Sequence, residues 1–169
     1  MRDDSVPVLR SPRLRLRPIA AGDAADLLAL AHDIHVSRYL HEGAPPSAEE
    51  QHGRIARGLE QWALRGYGMM TITDAGGFVG RMGVFHPAAA AEPLLVYALC
   101  RRGWGQGYAT EAVPVILRWL RAAHGFEQLS AHIDPRNVGS LRVAAKLGAV
   151  HRGTVARAGV DLDLWVFPT

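Results

Sequence analysis

Three glycines at alternate positions, Gly103, Gly105 and Gly107, directly precede a segment with helical periodicity. Glycine has no Cβ, so a ligand can approach the main chain there more closely than at other residues. A helix N-terminus leaves its first N–H groups without intrahelical partners and carries partial positive charge. Glycines at the start of a helix therefore predict a cradle for an anion, most often a phosphate group.

Three phosphate-binding motifs can be compared with this segment. A P-loop needs a lysine after its last glycine, and the segment contains none. A dinucleotide fingerprint needs a glycine at its sixth position, where the two possible registers place Tyr108 and Thr110. The third motif, R/Q-x-x-G-x-G/A, binds the pyrophosphate of coenzyme A, and Arg102, Gly105 and Gly107 match it completely.

The segments around the glycines must supply a strand before the loop and a helix after it. The apolar run "PLLVYALC" predicts the strand, and apolar residues at helical spacing predict a helix from Tyr108 to Gly125. Pro114 falls inside that helix, which predicts that the helix either starts late or bulges. A further strand, "QLSAHID", precedes a short helix that Asn137 caps and Gly148 ends.

The rest of the chain predicts the order β-α-α-β-β-β-α-β-α-β-β. Alternation over Leu14 to Ala20 indicates the first strand, and Asp23 is a candidate N-cap of the first helix. Ser47 and Glu50 resemble a capping box for a helix from Ala48 to about Arg65. "DAGG", 74–77, predicts a hairpin turn. With 169 residues and no linker, a single domain spanning 1–169 is expected.

Composition excludes several classes of function. The formal net charge is only +3, and "RLRLR" (13–17) predicts a solvated strand face rather than a nucleic-acid patch. No window of eighteen uncharged apolar residues predicts a membrane span, and the N-terminus does not resemble a secretory signal. The single cysteine, Cys100, forms no intramolecular disulfide and is expected to be buried. We therefore expect a cytoplasmic protein without a metal.

With these motifs in place, the chain resembles the GCN5-related N-acetyltransferases, in the branch similar to the ribosomal-protein alanine acetyltransferases. The segments that carry the resemblance are "SPRLRLRPIAAGDAADLLAL", "GWGQGYATEA" and "DPRNVGSLRVAAKLGA". The resemblance implies an α/β (α+β) fold with a mixed, mostly antiparallel sheet. That sheet is splayed at a V-shaped gap and flanked by about four helices.

The resemblance also implies acetyl-CoA as cosubstrate and an amine as acceptor. The pantetheine arm would lie in the gap beside Leu99 and Cys100, and the pyrophosphate would take N–H groups from 103 to 108. The coenzyme-binding residues implied are Leu99, Cys100, Arg102, Gly103, Trp104, Gly105, Gln106, Gly107, Tyr108, Ala109, Asn137 and Ser140.

For catalysis, the resemblance implies a group that protonates the leaving thiolate. Many members of the wider superfamily use a tyrosine at the position that Ala144 occupies here. The branch in question has a serine three residues after the asparagine, and this chain has Ser140 there. Ser140 is therefore the expected donor to the sulfur.

The base that deprotonates the acceptor is less clearly marked. The position where the family often has a glutamate is Leu94, and Glu92 precedes it by two residues. Glu92 would face the same way only if the strand extends that far, and it could act through water. Asp134, His86 and His132 are alternatives, as is a water chain with no dedicated base.

The acceptor itself is not specified by the sequence. A protein N-terminus, an aminoglycoside-like or other small amine, and a polyamine all remain open. The loop with Asp33, Glu42, Glu49 and Glu50 could attract a cationic amine or be a solvated loop. An alternative function is a non-catalytic acyl-CoA-binding module, and another type of nucleotide-binding protein would remain if the motif were misassigned. Homodimers are common among relatives, but no interface is evident here.

Overall fold

The computed structural model of the chain describes residues 7–40, 43–87, 92–157 and 159–169, and these form one eight-stranded sheet with helices on both faces. Its strands are β1 Leu9–Arg10, β2 Arg15–Pro18, β3 Met69–Asp74, β4 Gly77–Phe85, β5 Leu94–Leu99, β6 Gln128–Ile133, β7 Val150–Arg157 and β8 Val160–Pro168. Its α-helices are α1 Ala24–His32, α2 Ile34–Ser37, α3 Ala48–Arg65, α4 Tyr108–His124 and α5 Val138–Lys146.

The sheet is mixed and mostly antiparallel, in the order β1-β2-β3-β4-β5-β6-β8-β7. β5 and β6 are its parallel neighbours, and in the described part of the chain they pair through Leu94 and Ser130 alone. Beyond that pair the two strands diverge, so a gap opens toward Leu99 and Ile133. The predicted fold class, with its splayed sheet, is confirmed.

Two apolar layers hold the helices on opposite faces of the sheet. The amphipathic helix α4 buries Ala112, Val113 and Ile116 among residues of the central strands, and α5 packs on the same face. Full burial of a valine or isoleucine side chain stabilises the fold by about 1.5–3 kcal/mol. On the opposite face, Leu27 of α1 and Ile55 of α3 form a second cluster. The sheet core therefore fixes the loop that precedes α4.

The predicted helices are present, and the local signals at their ends are instructive. Ser47 and Glu50 form the predicted capping box of α3, and Asn137 accepts the N–H of Ser140 at the start of α5. Asp23 precedes α1, but its carboxylate accepts from the N–H of Ala20 instead of capping α1. The four-residue α2 and the short strand β1 are elements that the sequence pattern did not predict.

Pro114 lies inside α4, which begins at Tyr108 and continues through the proline to His124. The helix therefore does not start late. Because proline has no N–H, the carbonyl of Thr110 loses the donor that a continuous helix would offer it. Buried neighbours on both sides of Pro114, Val113 and Ile116, keep the helix on the sheet across this defect.

Leu14 and Leu16 are buried and the arginines beside them lie on the more exposed side, as predicted, but two of these arginines are ion-paired. Arg17 makes a two-pronged ion pair with the buried carboxylate of Asp23, which also accepts from the hydroxyl of Thr71. Arg13 pairs with Glu111 in the first turn of α4. The N-terminal strand is thus tied by charge to both faces of the sheet. Across the described ranges, no helix is both long enough and apolar enough to cross a bilayer.

Candidate active site

The glycine loop joins β5 to α4 through a 3-10 turn at Arg101–Gly103. Gly105 and Gly107 then adopt φ values of 70° and 77°, in the left-handed region that L side chains rarely occupy. A Cβ built on Gly105 would meet no atom within 4 Å. The space on the Cβ side of this residue is therefore open.

Main-chain N–H groups are available over one stretch of the loop and not over another. Those of Gly103 and Trp104 donate to the carbonyls of Cys100 and Arg101 at 2.8 and 3.1 Å. Within the described residues, none of the N–H groups from 105 to 110 donates to a main-chain oxygen, and the first helical bond runs from Glu111 to Gly107. The free donors thus begin two residues later than the stretch 103–108 expected from the sequence.

At Gly103 the absence of a side chain serves close packing rather than access for a ligand. Gly103 is buried, and a Cβ there would lie 3.0 Å from Val79 Cγ1 and 3.5 Å from the ring of Tyr108. The missing side chain lets the 3-10 turn pack closely on β4. Gly103 therefore shapes the loop, while Gly105 leaves open space above it and a Cβ on Gly107 would lie 3.6 Å from the guanidinium of Arg13.

Arg102 points away from the open loop and is held by the β3–β4 hairpin. Its guanidinium donates to both carboxylate oxygens of Asp74, at 2.8 and 3.0 Å, and to the carbonyls of Gly77 and Phe78. Asp74 also accepts the hydroxyl of Tyr108 at 3.0 Å. The Arg102 guanidinium, together with Tyr108, holds the pKa of the Asp74 carboxyl well below its usual range.

Asp74 thus links Arg102, the residue before Gly103, to Tyr108, the first residue of α4. We call these three residues the Asp74 clamp. Sequence analysis did not find Asp74, because in sequence it is only part of a hairpin turn. The sequence does contain an acidic residue in the hairpin turn and an arginine, Arg102, before the glycines. The 28 residues between them hid the fact that the two side chains pair. Two charge-assisted contacts on one rigid hairpin fix the loop before any ligand binds.

Leu99 and Cys100 line the loop end of the gap. The carbonyl of Leu99 accepts the indole N–H of the half-exposed Trp104 at 2.8 Å. The N–H of Cys100 donates to the carbonyl of Val79, and its thiol lies 3.8 Å from the carbonyl of Phe78. The indole of Trp104 thus already occupies the carbonyl of Leu99, and contact of both residues with pantetheine stays a prediction.

Across the gap, the start of α5 approaches β5. The phenol of Tyr97 donates to the carbonyl of Ser140 at 3.4 Å, and burial raises the pKa of Tyr97 to about 12. Asn137 orients this turn through the N–H of Ser140. In the described residues the Ser140 hydroxyl makes no hydrogen bond, so it is free to donate. Ala144 is fully buried against the core, one turn further along.

The candidate bases are placed very differently. Glu92 is exposed and lies before β5, which begins at Leu94, so the strand does not extend far enough to set its orientation. Asp134 is buried and paired with Arg136. Nδ1 of His86 and the hydroxyl of Tyr67 form a hydrogen bond of 2.7 Å at the end of β4 that is remote from the glycine loop.

His132 is the fourth candidate and lies on β6, beside the gap. It is half-buried, and its Nδ1 is a fully enclosed atom without a hydrogen-bond partner in the described residues. Burial, with a smaller contribution from the charge of Arg157, lowers the pKa of His132 below its ordinary value. The ring is therefore neutral at pH 7.

The acidic loop does not form a cluster for a cationic acceptor. Asp33 caps α2 through the N–H of His35, and Glu50 accepts the N–H of Ser47 in the capping box. Glu49 is exposed on the first turn of α3, and Glu42 lies outside the described residues. No group of three His, Cys, Asp or Glu side chains in the described ranges could hold a metal ion.

Comparison with known proteins identifies the family. The profile of the acetyltransferase (GNAT) domain family matches residues 13–150. The uncharacterized protein YkkB of Bacillus subtilis (strain 168) is 31% identical over 159 residues, covering 88% of each chain. An acetyltransferase structure from Agrobacterium tumefaciens superposes with a TM-score of 0.84 at 26% identity, covering 98% of this chain and 96% of that one. RimL, a ribosomal L7/L12 alpha-N-protein acetyltransferase in complex with coenzyme A, shares the fold with a TM-score of 0.82 at 17% identity, covering 96% of this chain and 98% of that one. The chain belongs to the GNAT family and is an acetyltransferase.

Proposed function

We propose that the protein transfers an acetyl group directly from acetyl-CoA to a primary amine, either a protein N-terminus or a small molecule. The observation that carries this proposal is the run of free N–H groups from 105 to 110, with open space over Gly105. Oriented main-chain donors at a helix start suit the charge and geometry of a pyrophosphate. The residues present therefore fit coenzyme A.

The coenzyme would be held by main chain more than by side chains. Gly105, Gln106, Gly107, Tyr108 and Ala109 offer the donors, and Gly103 keeps the loop close to the sheet. The guanidinium of Arg102 donates to the carbonyl of Phe78 and so holds the loop against β4 instead of contacting the coenzyme. Leu99, Cys100 and Trp104 would border the pantetheine arm, with Asn137 and Ser140 on the other side of the gap.

In this proposal acetyl-CoA supplies an activated acyl group, so the protein mainly orients the reactants and handles protons. The Ser140 hydroxyl would donate to the sulfur as the carbon–sulfur bond breaks, and Asn137 would hold the turn that carries it. Glu92 remains the base candidate from the sequence, acting through water because of its exposed position. Cytoplasmic location and a homodimer also remain predictions.

A thermal-melting series tests coenzyme binding. Acetyl-CoA, coenzyme A, ATP and NAD are added separately to the purified chain. A ligand at a hundred times its dissociation constant adds about 2.7 kcal/mol to the free energy of unfolding, or roughly 5–11 °C for a chain of this size. Shifts with acetyl-CoA and coenzyme A alone support the proposal, whereas a shift only with ATP or NAD contradicts it.

An activity panel then tests catalysis. Release of the coenzyme A thiol is followed with acetyl-CoA and one of three amines: an unblocked Ser-Ala-Gly tripeptide, spermidine or kanamycin. Mass spectrometry of the amine confirms where the acetyl group goes. Binding of acetyl-CoA without acetylation of any amine in a broader panel would instead favour a non-catalytic acyl-CoA-binding module.

A further inference from the structure

The side chain of His132 lies beside the gap in the sheet, and no hydrogen bond among the described residues gives it a structural role there. β5 and β6 make their last pair at Leu94 and Ser130, and His132 is the next residue of β6 on the same face. That face lies opposite α4 and α5, because Leu129 and Ala131 point into the core that those helices cover. His132 therefore lies at the point where the gap opens, on the face that the coenzyme-side helices leave uncovered.

A histidine in the interior of a sheet normally keeps its ring nitrogens hydrogen-bonded. Nδ1 of His132 is enclosed without a partner in the described residues, which is unfavourable for a buried polar group. Opposite it on β8 is Leu164, which offers no polar atom from its side chain. No hydrogen bond from the described surroundings thus holds the ring for a structural reason, and the side chain as a whole is only partly buried.

The charges near His132 favour a neutral imidazole. Arg157 of β7 is the charged group that contributes to its titration, and it opposes a second positive charge. Asp134 directly follows β6, and its carboxylate is engaged by the guanidinium of Arg136. The nearest residues of β5, Leu94 and Val96, do not titrate. The ring can therefore accept a proton at neutral pH.

We propose that Nε2 of His132 accepts the proton of the acceptor ammonium, which makes His132 a catalytic residue of the acetyl transfer. The inference rests on the proposed function. The ammonium gives one proton to Nε2, the free amine attacks the thioester carbon, a carbon–nitrogen bond forms and the carbon–sulfur bond breaks. The nitrogen loses a second proton, which replaces the one that the Ser140 hydroxyl gives to the sulfur to form the thiol of coenzyme A, and the imidazolium returns its proton to solvent. On this assignment Glu92 does not contact the amine.

The test compares pH–rate profiles of kcat/KM for the wild type, His132→Asn and the control His52→Asn. His52 is exposed on α3 and bonds only within its own helix. Wild type should show an acidic limb whose apparent pKa is below about 6.5, the ordinary value for histidine. His132→Asn should lose that limb and fall about 100-fold at pH 7, with the deficit shrinking as pH rises toward the pKa of the amine. Binding of acetyl-CoA should be unchanged.

Two outcomes overturn the assignment. One is a His132→Asn rate within threefold of wild type while Glu92→Gln is impaired, which would restore Glu92 as the base. The other is a loss of equal size at every pH, which would indicate a structural role. His132→Gln, which keeps more of the side-chain volume, is the second variant if the asparagine protein does not fold.

Imidazole NMR of wild-type protein provides a readout that does not depend on turnover. The resonance that disappears in a His132 variant should titrate below the ordinary histidine pKa and move when spermidine or the Ser-Ala-Gly tripeptide is added at high concentration. Absence of any movement with either amine overturns the inference. Failure of the proposed function is distinguishable, because it would appear as wild-type protein that neither binds acetyl-CoA nor transfers its acetyl group.

Discussion

A methyl group on Gly105 should weaken coenzyme binding far more than it weakens the fold. Gly105 and Gly125 offer a matched pair, with φ values of 70° and 72° at opposite ends of α4. A Cβ would meet no atom within 4 Å at either position. Replacement by alanine should cost about 1–2 kcal/mol of left-handed strain in both variants, lowering Tm by roughly 2–8 °C.

Only the methyl at Gly105 would lie beside the free N–H groups. If it displaces the pyrophosphate from one charge-assisted hydrogen bond worth about 1.5–3 kcal/mol, Kd for coenzyme A rises roughly 10- to 150-fold. Gly125→Ala should leave Kd within about twofold of wild type, because the methyl is at the far end of the helix. The difference between the variants therefore isolates the ligand contact from backbone strain.

Calorimetric titration with coenzyme A measures both dissociation constants directly, and melting without ligand measures the shared strain. Equal Kd values for Gly105→Ala and wild type would refute the cradle. Equal weakening by Gly125→Ala would also refute it, because the loss would then come from a general softening of α4. An alanine at 105 that raises Tm would show that the strain argument itself is wrong.

Three further variants probe groups around the cradle. Asp74→Asn should lower the free energy of unfolding by about 1–3 kcal/mol through its lost contacts to Arg102 and Tyr108. Because the folded pKa of Asp74 is depressed, that difference from wild type should be complete above about pH 4 and shrink as the pH falls below it, in melts across pH. Ser140→Ala should lower kcat about tenfold or more without abolishing the binding of acetyl-CoA; unchanged kcat would remove Ser140 as the donor. Since the pKa of Tyr97 is raised to about 12, Tyr97→Phe should keep every limb of the pH–rate profile below about pH 10, and loss of one would contradict this.

The sequence was a good guide wherever the signal was local. The glycines at 105 and 107, the capping box of α3 and the asparagine cap of α5 all act within a few residues of themselves. The divergence of β5 and β6 was also anticipated, although only through the family resemblance. These features define the glycine loop and the two strands that border it.

What the sequence could not specify depends on contacts between distant segments. The 3-10 turn uses the N–H groups of Gly103 and Trp104, and that choice depends on how closely the turn packs on β4. The roles of Arg102, Arg13 and Arg17 are set by acidic partners from other elements, which the spacing of the arginines in the sequence does not reveal. The exposure of Glu92 likewise depends on where β5 begins.

The divergence of β5 from β6 leaves two strand edges inside the molecule rather than at its rim. Open edges invite pairing with any extended chain, and proteins usually cover them. Here Tyr97 and Trp104 cover the gap sparsely, one by a phenol and one by an indole N–H. An extended ligand carrying amide groups would complete the missing strand, so the protein stored without such a ligand should be the form more prone to self-association.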